Sequence, residues 1–162
     1  MKVKIMGRED LTDLAKEPFP AGTAIISITN TDLSELELTN LPEHLLRLKF
    51  DDVSDELYED FLGRKPSVQE MKQLAKRFHM FSDEQAKEIA NFILPLYESV
   101  DTLICQCEHG QSRSAGVAAA ILEYFSRSGV TVFAATGYYP NKLVYRRLLH
   151  YLNRCGGRKK ES

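Results

Sequence analysis

Cys107 and Arg113 lie at the two ends of one short segment, Cys107-Glu108-His109-Gly110-Gln111-Ser112-Arg113-Ser114, which follows the apolar run Leu103-Ile104-Cys105 and precedes Ala115-Gly116. An apolar strand that ends in a glycine-containing loop and leads straight into a helix builds an anion site. The first turn of the helix leaves N–H groups unpaired at the positive end of its dipole, and successive loop amides add a concave nest of donors. Cys107 opens the loop, where such donors favour thiolate over thiol. Arg113 closes it, and its planar guanidinium suits two oxygens of a tetrahedral oxyanion. Ser114, at the start of the helix, is placed to give a hydrogen bond to the sulfur. Gly110 permits a backbone angle that a side chain forbids. Glu108, His109, Gly110, Gln111, Ser112, Arg113 and Ser114 are therefore the candidate phosphate-binding set. A thiolate inside an anion cradle combines the attacker of a phosphate monoester with its clamp.

The elements that must position this loop can be traced along the chain. Val3 to Met6, Ala24 to Thr29 and Thr102 to Cys107 are β-branched or apolar runs of strand length, and Leu45 to Phe50 alternates more loosely. Ser67 to Glu70 and Ser82 to Gln85 fit the capping box that opens a helix. Beyond Ser82, apolar residues at 86, 89, 90, 93, 96, 97 and 100 keep helical spacing, with a kink expected at Pro95. Ala115 to Phe125 is apolar nearly all round, as in a helix buried against a sheet. Asn141 is placed to cap a last helix with the stripe Val144, Leu148, Tyr151 and Leu152. Strands alternating with helices predict an α/β fold, with a mostly parallel central sheet of four to five strands and helices on both faces. Ligands of such sheets bind off the carboxyl ends of the strands, where this loop sits.

Composition narrows the function. The chain has 162 residues, 43% hydrophobic and 27% charged, with 21 basic against 23 acidic side chains and a net charge of -2. The length suits one domain, expected over 1–155, followed by a basic flexible tail over 156–162. The near balance of charge excludes a whole-molecule polyanion binder, so no nucleic-acid partner is expected. Three cysteines, Cys105, Cys107 and Cys155, predict thiols of a reducing compartment rather than a disulfide framework. With no signal-peptide pattern and no apolar span of membrane length, a soluble cytoplasmic monomer is expected, with no membrane partner. The balance hides a split. Residues 51–60 carry six acids and no base, whereas residues 142–162 carry seven Lys or Arg and one acid. Both runs are expected to be solvated surface.

Cys-x5-Arg-Ser after an apolar strand resembles the phosphate loop of the cysteine-dependent protein tyrosine and dual-specificity phosphatases, His-Cys-x5-Arg-Ser/Thr. The version here, Cys-x-x-Gly-x-Ser-Arg-Ser, is specific. Pro140-Asn141, followed by Val144 and Leu148, is similar to the start of the last helix in dual-specificity members. The resemblance spans about residues 20 to 153 and implies a phosphotyrosine-phosphatase-like fold. It implies hydrolysis of phosphotyrosine or a phosphoprotein through a cysteinyl-phosphate, with a phosphorylated protein or peptide as partner, phosphate or sulfate as anion in the loop, and no cofactor or metal.

The resemblance also implies a general acid, usually an Asp upstream of the nucleophile. Residues 114–162 contain no Asp and only Glu123 and Glu161 as carboxylates, which disfavours the low-molecular-weight phosphatases, whose acid follows the loop. Dual-specificity members place their Asp after an alternating apolar strand, and Leu48 and Phe50 stand four and two positions before Asp52. Asp52 is the foremost candidate, with Asp51, Asp55 and Asp83 as alternatives. The long interval from Asp52 to Cys107 implies an insertion, expected at the helix that begins near Ser67. Gln106 departs from the family, which has His before the nucleophile; Gln hydrogen-bonds but does not titrate. Glu108 and the absence of lysines in the loop weigh against an inositol lipid head group as substrate.

Other chemistries use the same residues. Cys105-x-Cys107-x-His109 offers three metal ligands without a fourth, although Cys105 is better read as a core thiol. A sulfurtransferase also uses a loop cysteine, in a shorter loop. A phosphatase-like domain that binds phosphorylated partners without turnover is the alternative from a different functional class. His44, His79 and His150 fit surface or core positions, and Tyr138-Tyr139 either line the pocket mouth or pack on the core.

Overall fold

The computed structural model describes residues 1–157. Four strands, β1 (Lys2–Met6), β2 (Thr23–Thr29), β3 (His44–Lys49) and β4 (Thr102–Gln106), form one sheet in the order β1-β4-β2-β3. Every pairing is parallel. The expected fold class therefore holds, with four strands. Parallel neighbours need crossovers. Helix α1 (Arg8–Leu14) follows β1, and residues 30–43 link β2 to β3 without a helix. Between β3 and β4 come α2 (Asp55–Leu62), α3 (Val68–Arg77) and α4 (Asp83–Ile93), and after β4 come α5 (Arg113–Ser126), α6 (Val130–Ala134) and α7 (Lys142–Cys155).

A strand in the middle of such a sheet is covered twice, and all seven residues of β2, Thr-Ala-Ile-Ile-Ser-Ile-Thr, are buried. Ala24, Ile26, Ile28, Leu103 and Cys105 pack on one face against Ile89 and Ile93 of α4, Val117 and Ile121 of α5, and Leu148 and Leu152 of α7. Ile25 and Ile104 meet Leu11 of α1 and Leu36 on the other face. Cys105 is a core thiol, pushed up by burial and by the neighbouring Cys107. Residues 158–162, most of the expected basic tail, lie outside the described residues.

Local chemistry sets the helix ends. Ser67 with Glu70, and Ser82 with Gln85, form complete capping boxes at α3 and α4. The helix after Ser82 ends at Ile93 rather than running through a kink at Pro95, because proline supplies no N–H and its ring crowds the preceding turn. Asn141 caps α7 by accepting from the Val144 N–H. The acidic run contains a helix that its charge obscured: Ser54 caps α2, and Asp55 and Glu56 occupy its first turn, where the dipole favours acids. α2 buries no residue and α3 buries only Leu74. The inserted segment thus begins one helix earlier than expected, and it lies outside the packed layers.

Candidate active site

Residues 107–112 leave the end of β4 and lead directly into α5. Their carbonyls are held by protein donors. Gln106 Nε2 donates to the Cys107 carbonyl across 2.8 Å, and the Arg8 N–H donates to the Glu108 carbonyl across 3.0 Å. The Tyr139 N–H binds the Gln111 carbonyl at 2.8 Å, and the Asn141 N–H binds the Ser112 carbonyl at 3.0 Å. In a planar trans peptide the C=O and the next N–H point in opposite directions. Tying these carbonyls therefore turns the N–H groups of Glu108, His109, Ser112 and Arg113 the other way. Among the described residues, no backbone carbonyl accepts from the N–H of any residue from 108 to 112. The result is a curved row of donors beside Cys107, the arrangement that favours an anion.

Two glycines permit the close contacts. Gly110 has φ +67°, and a Cβ there would lie 2.5 Å from the Gly7 nitrogen. The loop is thus pressed against the turn that follows β1. Gly116 lies against α7, where a Cβ would meet the Asn141 carbonyl at 2.7 Å. That approach brings the Pro140-Asn141 segment over the start of α5.

Within the loop, the Ser114 hydroxyl lies 3.0 Å from the Cys107 sulfur. Arg113 is only 4% exposed. One guanidinium nitrogen, Nη1, donates to the Phe50 carbonyl across 2.8 Å, whereas Nε is buried with no hydrogen-bond partner among the described residues. A buried cationic donor without an acceptor costs free energy unless an anion completes it. Phe50 is itself fixed by its ring contact with Phe81, 4.8 Å between centroids.

Solved structures share this fold. Tk-PTP in its active form superposes with a TM-score of 0.53 at 18% identity, over 95% of this chain and 93% of that chain. PTPMT1 in complex with PI(5)P superposes with a TM-score of 0.50 at 13% identity, over 84% of this chain and 80% of that one. The chain has the protein tyrosine phosphatase fold. No protein-family model matches it, and no curated protein matches it in sequence.

On this phosphatase fold the carboxylates following β3 take different places. Asp52 reaches the loop: Oδ1 accepts from the Ser112 hydroxyl at 2.7 Å and from Asn141 Nδ2 at 2.9 Å. Ser112 stands at the N-cap of α5 but makes no side-chain cap, because its hydroxyl is turned to Asp52. Asp51 points away and is saturated by the N–H and hydroxyl of Thr31 and by the His79 N–H. Burial raises its pKa, but these bonds outweigh burial and hold it below the ordinary carboxylate value. Asp55 pairs with Arg146 at 2.9 Å, and Asp83 with Arg147 at 3.2 Å. Of the four acids considered, Asp52 alone bonds to a loop residue.

The remaining expected site residues divide. Glu108 places a carboxylate oxygen 3.7 Å from Arg8 Nη1, so the loop's negative charge lies beside a cation at the start of α1. His109 and Gln111 are exposed, and they contribute backbone rather than enclosed side chains. Cys105, Cys107 and His109 do not converge, and among the described residues no group of three such ligands could hold a metal ion. Tyr138 and Tyr139 line a cleft of about 520 Å³ together with Asp52 and Ser112; Tyr138 also packs against the core cluster of Ala115, Ala119 and Val132, whereas Tyr139 is exposed.

Sequence reasoning missed Ser27. It is buried, and its hydroxyl donates to Gln106 Oε1 across 2.6 Å, so Gln106 is gripped at both ends of its amide. The only hint was a serine in the middle of an otherwise apolar strand. Arg8 was missed too, since nothing in its local sequence links it to a residue one hundred positions later.

Proposed function

We propose that this chain is a phosphomonoester hydrolase acting on phosphotyrosine or a phosphorylated protein through a cysteinyl-phosphate intermediate. The observation that carries this reading is the buried Nε of Arg113, without a hydrogen-bond partner among the described residues, in the same loop as a Cys107 sulfur that lies 3.0 Å from the Ser114 hydroxyl and as amides that no backbone carbonyl accepts from. A dianionic phosphate completes the bonding of all these groups at once.

In the proposed cycle the Cys107 thiolate attacks phosphorus in line with the ester oxygen. Arg113 and the loop N–H groups hold the three equatorial oxygens. The S–P bond forms as the P–O bond breaks, and Asp52 gives its proton to the departing alkoxide or phenoxide. Ser114 supports the sulfur as charge leaves and returns. Asp52, now a carboxylate, takes a proton from the water that attacks the cysteinyl-phosphate, and inorganic phosphate departs with the thiolate regenerated. Asn141 and Ser112 act as positioning residues for Asp52. Gln106 fills the place of the family's histidine by hydrogen bonding alone.

The test is turnover of p-nitrophenyl phosphate. The reading expects hydrolysis by the wild-type chain that is abolished in Cys107→Ser. A folded wild-type chain that binds phosphopeptides and hydrolyses nothing would reduce it to a phosphate-reading module.

A further inference from the structure

The acidic run of residues 51–60 is not uniform surface. Asp51 is bonded to Thr31 and His79, and Asp52 to Ser112 and Asn141. Asp55 and Glu56 form ion pairs with Arg146, and Glu56 also pairs with Lys142 at 3.4 Å. These pairs clamp the first turn of α2 onto α7, although α2 has no buried residue to hold it there. Clamped in this way, α2 forms one wall of the cleft that opens at Asp52 and Ser112. Leu57 and Asp60 of α2 line it together with Phe133 and Tyr139. Leu57 is 55% exposed and Tyr139 is 73% exposed, so both present apolar surface to whatever enters.

The charges of this cleft do not cancel. Among the described residues its one base, Lys142, is paired with Glu56, and Asp60 has no ion pair or hydrogen bond from its side chain. The cleft adjoins the loop at Ser112 and Asp52, so a peptide phosphorylated at the loop has this cleft beside its phosphorylated residue. We infer that the cleft selects phosphopeptides with an arginine or lysine close to the phosphorylated residue, and that Asp60 is the specificity-determining partner of that cation. Leu57 and Tyr139 flank the peptide's apolar stem, which suits the long alkyl part of a basic side chain as well as its charged head. The same charge disfavours polyanionic ligands, whose further phosphates would face Asp60 and find the cleft's Lys142 already paired with Glu56. Opposite charges across a rim steer encounter and set specificity more than they raise affinity.

This inference rests on the phosphatase reading, and its test separates the two. The substrates are p-nitrophenyl phosphate and phosphotyrosine peptides that differ only in arginine or glutamate on either side of the phosphotyrosine. The wild-type chain is expected to favour arginine on at least one side by about two- to fivefold in kcat/KM, the span of an exposed ion pair. The preference should disappear in Asp60→Asn, reverse in Asp60→Lys, and shrink as salt rises toward 1 M. p-Nitrophenyl phosphate, which is too small to span the cleft, should be hydrolysed equally by all three chains. Equal rates on arginine and glutamate peptides, or a preference that survives Asp60→Lys, overturns the inference while intact p-nitrophenyl phosphate turnover leaves the phosphatase reading standing. No turnover of any substrate overturns both.

Discussion

The Ser112 hydroxyl donates to Oδ1 of Asp52 across 2.7 Å, joining the last residue of the anion loop to a carboxylate sixty positions earlier in the chain. Asn141 holds the same oxygen from α7. Three segments distant in sequence therefore agree on where one carboxyl group stands. If that group is the proton donor, Asp52→Asn lowers kcat by about 10²- to 10⁴-fold on phenyl phosphates with poor leaving groups. The loss on p-nitrophenyl phosphate, whose leaving group needs less help, is smaller. Equal losses on both would point away from proton donation.

Asp51, its neighbour, has a structural task. Its carboxylate is stabilised in the fold relative to the unfolded chain, so its contribution is present above the ordinary carboxylate pKa and is lost as pH falls through the lower folded value. Asp51→Asn should cost about 1–3 kcal/mol at neutral pH by upsetting the bonds from Thr31 and His79. It should also flatten the acid limb of stability, as urea unfolding followed from pH 7 to pH 3 would show. Unchanged acid stability would mean that another group dominates that limb.

Gly110→Ala tests the seat of the loop. The new methyl would need a positive φ and would meet the Gly7 backbone at 2.5 Å. The substitution should destabilise the chain by more than about 2 kcal/mol. It should also weaken competitive inhibition by vanadate, because the loop must lift from the β1 turn to accommodate the group. Gly63→Ala is the control, since nothing lies within 4 Å of a Cβ there despite its positive φ; it should cost stability without touching vanadate inhibition.

Gln106→Leu should be worse than Ser27→Ala. Leucine frees the Cys107 carbonyl and strands the buried Ser27 hydroxyl, a cost of about 1–3 kcal/mol together with a misdirected Glu108 N–H. Ser27→Ala removes only the outer grip on the amide. Vanadate affinity should fall in the order wild type, Ser27→Ala, Gln106→Leu, and thermal unfolding measured alongside would show whether affinity falls faster than stability. Loss of stability with unaltered vanadate affinity would assign the pair to the core alone.

What could be read from the chain follows contact range. The loop, the strand before it and the helix after it are contiguous, so the placement of Cys107, Arg113 and Ser114 between β4 and α5 could be read from spacing. Capping boxes at Ser67 and Ser82 are four-residue signals and appear as expected. The end of α4 before Pro95 and the presence of α2 were harder. One depended on how strongly proline stops a helix, the other on ion pairs to Arg146 that the local sequence does not contain. The resemblance already ranked Asp52 ahead of Asp51, but the contacts that separate these neighbours, Ser112 and Asn141 for one and Thr31 and His79 for the other, are tertiary and could not be read from the chain. Ser27 and Arg8 were invisible for the same reason.

The central claim is that phosphate passes through the sulfur of Cys107. It is tested most directly by quenching Asp52→Asn in acid during turnover of p-nitrophenyl phosphate and locating phosphorus by mass spectrometry. With the base that activates water removed, a phosphoryl group should accumulate on the peptide containing Cys107. It should be absent from Cys107→Ser under the same conditions. Release of phosphate with no phosphorylated Cys107 at any quench time, or undiminished turnover by Cys107→Ser, would contradict it.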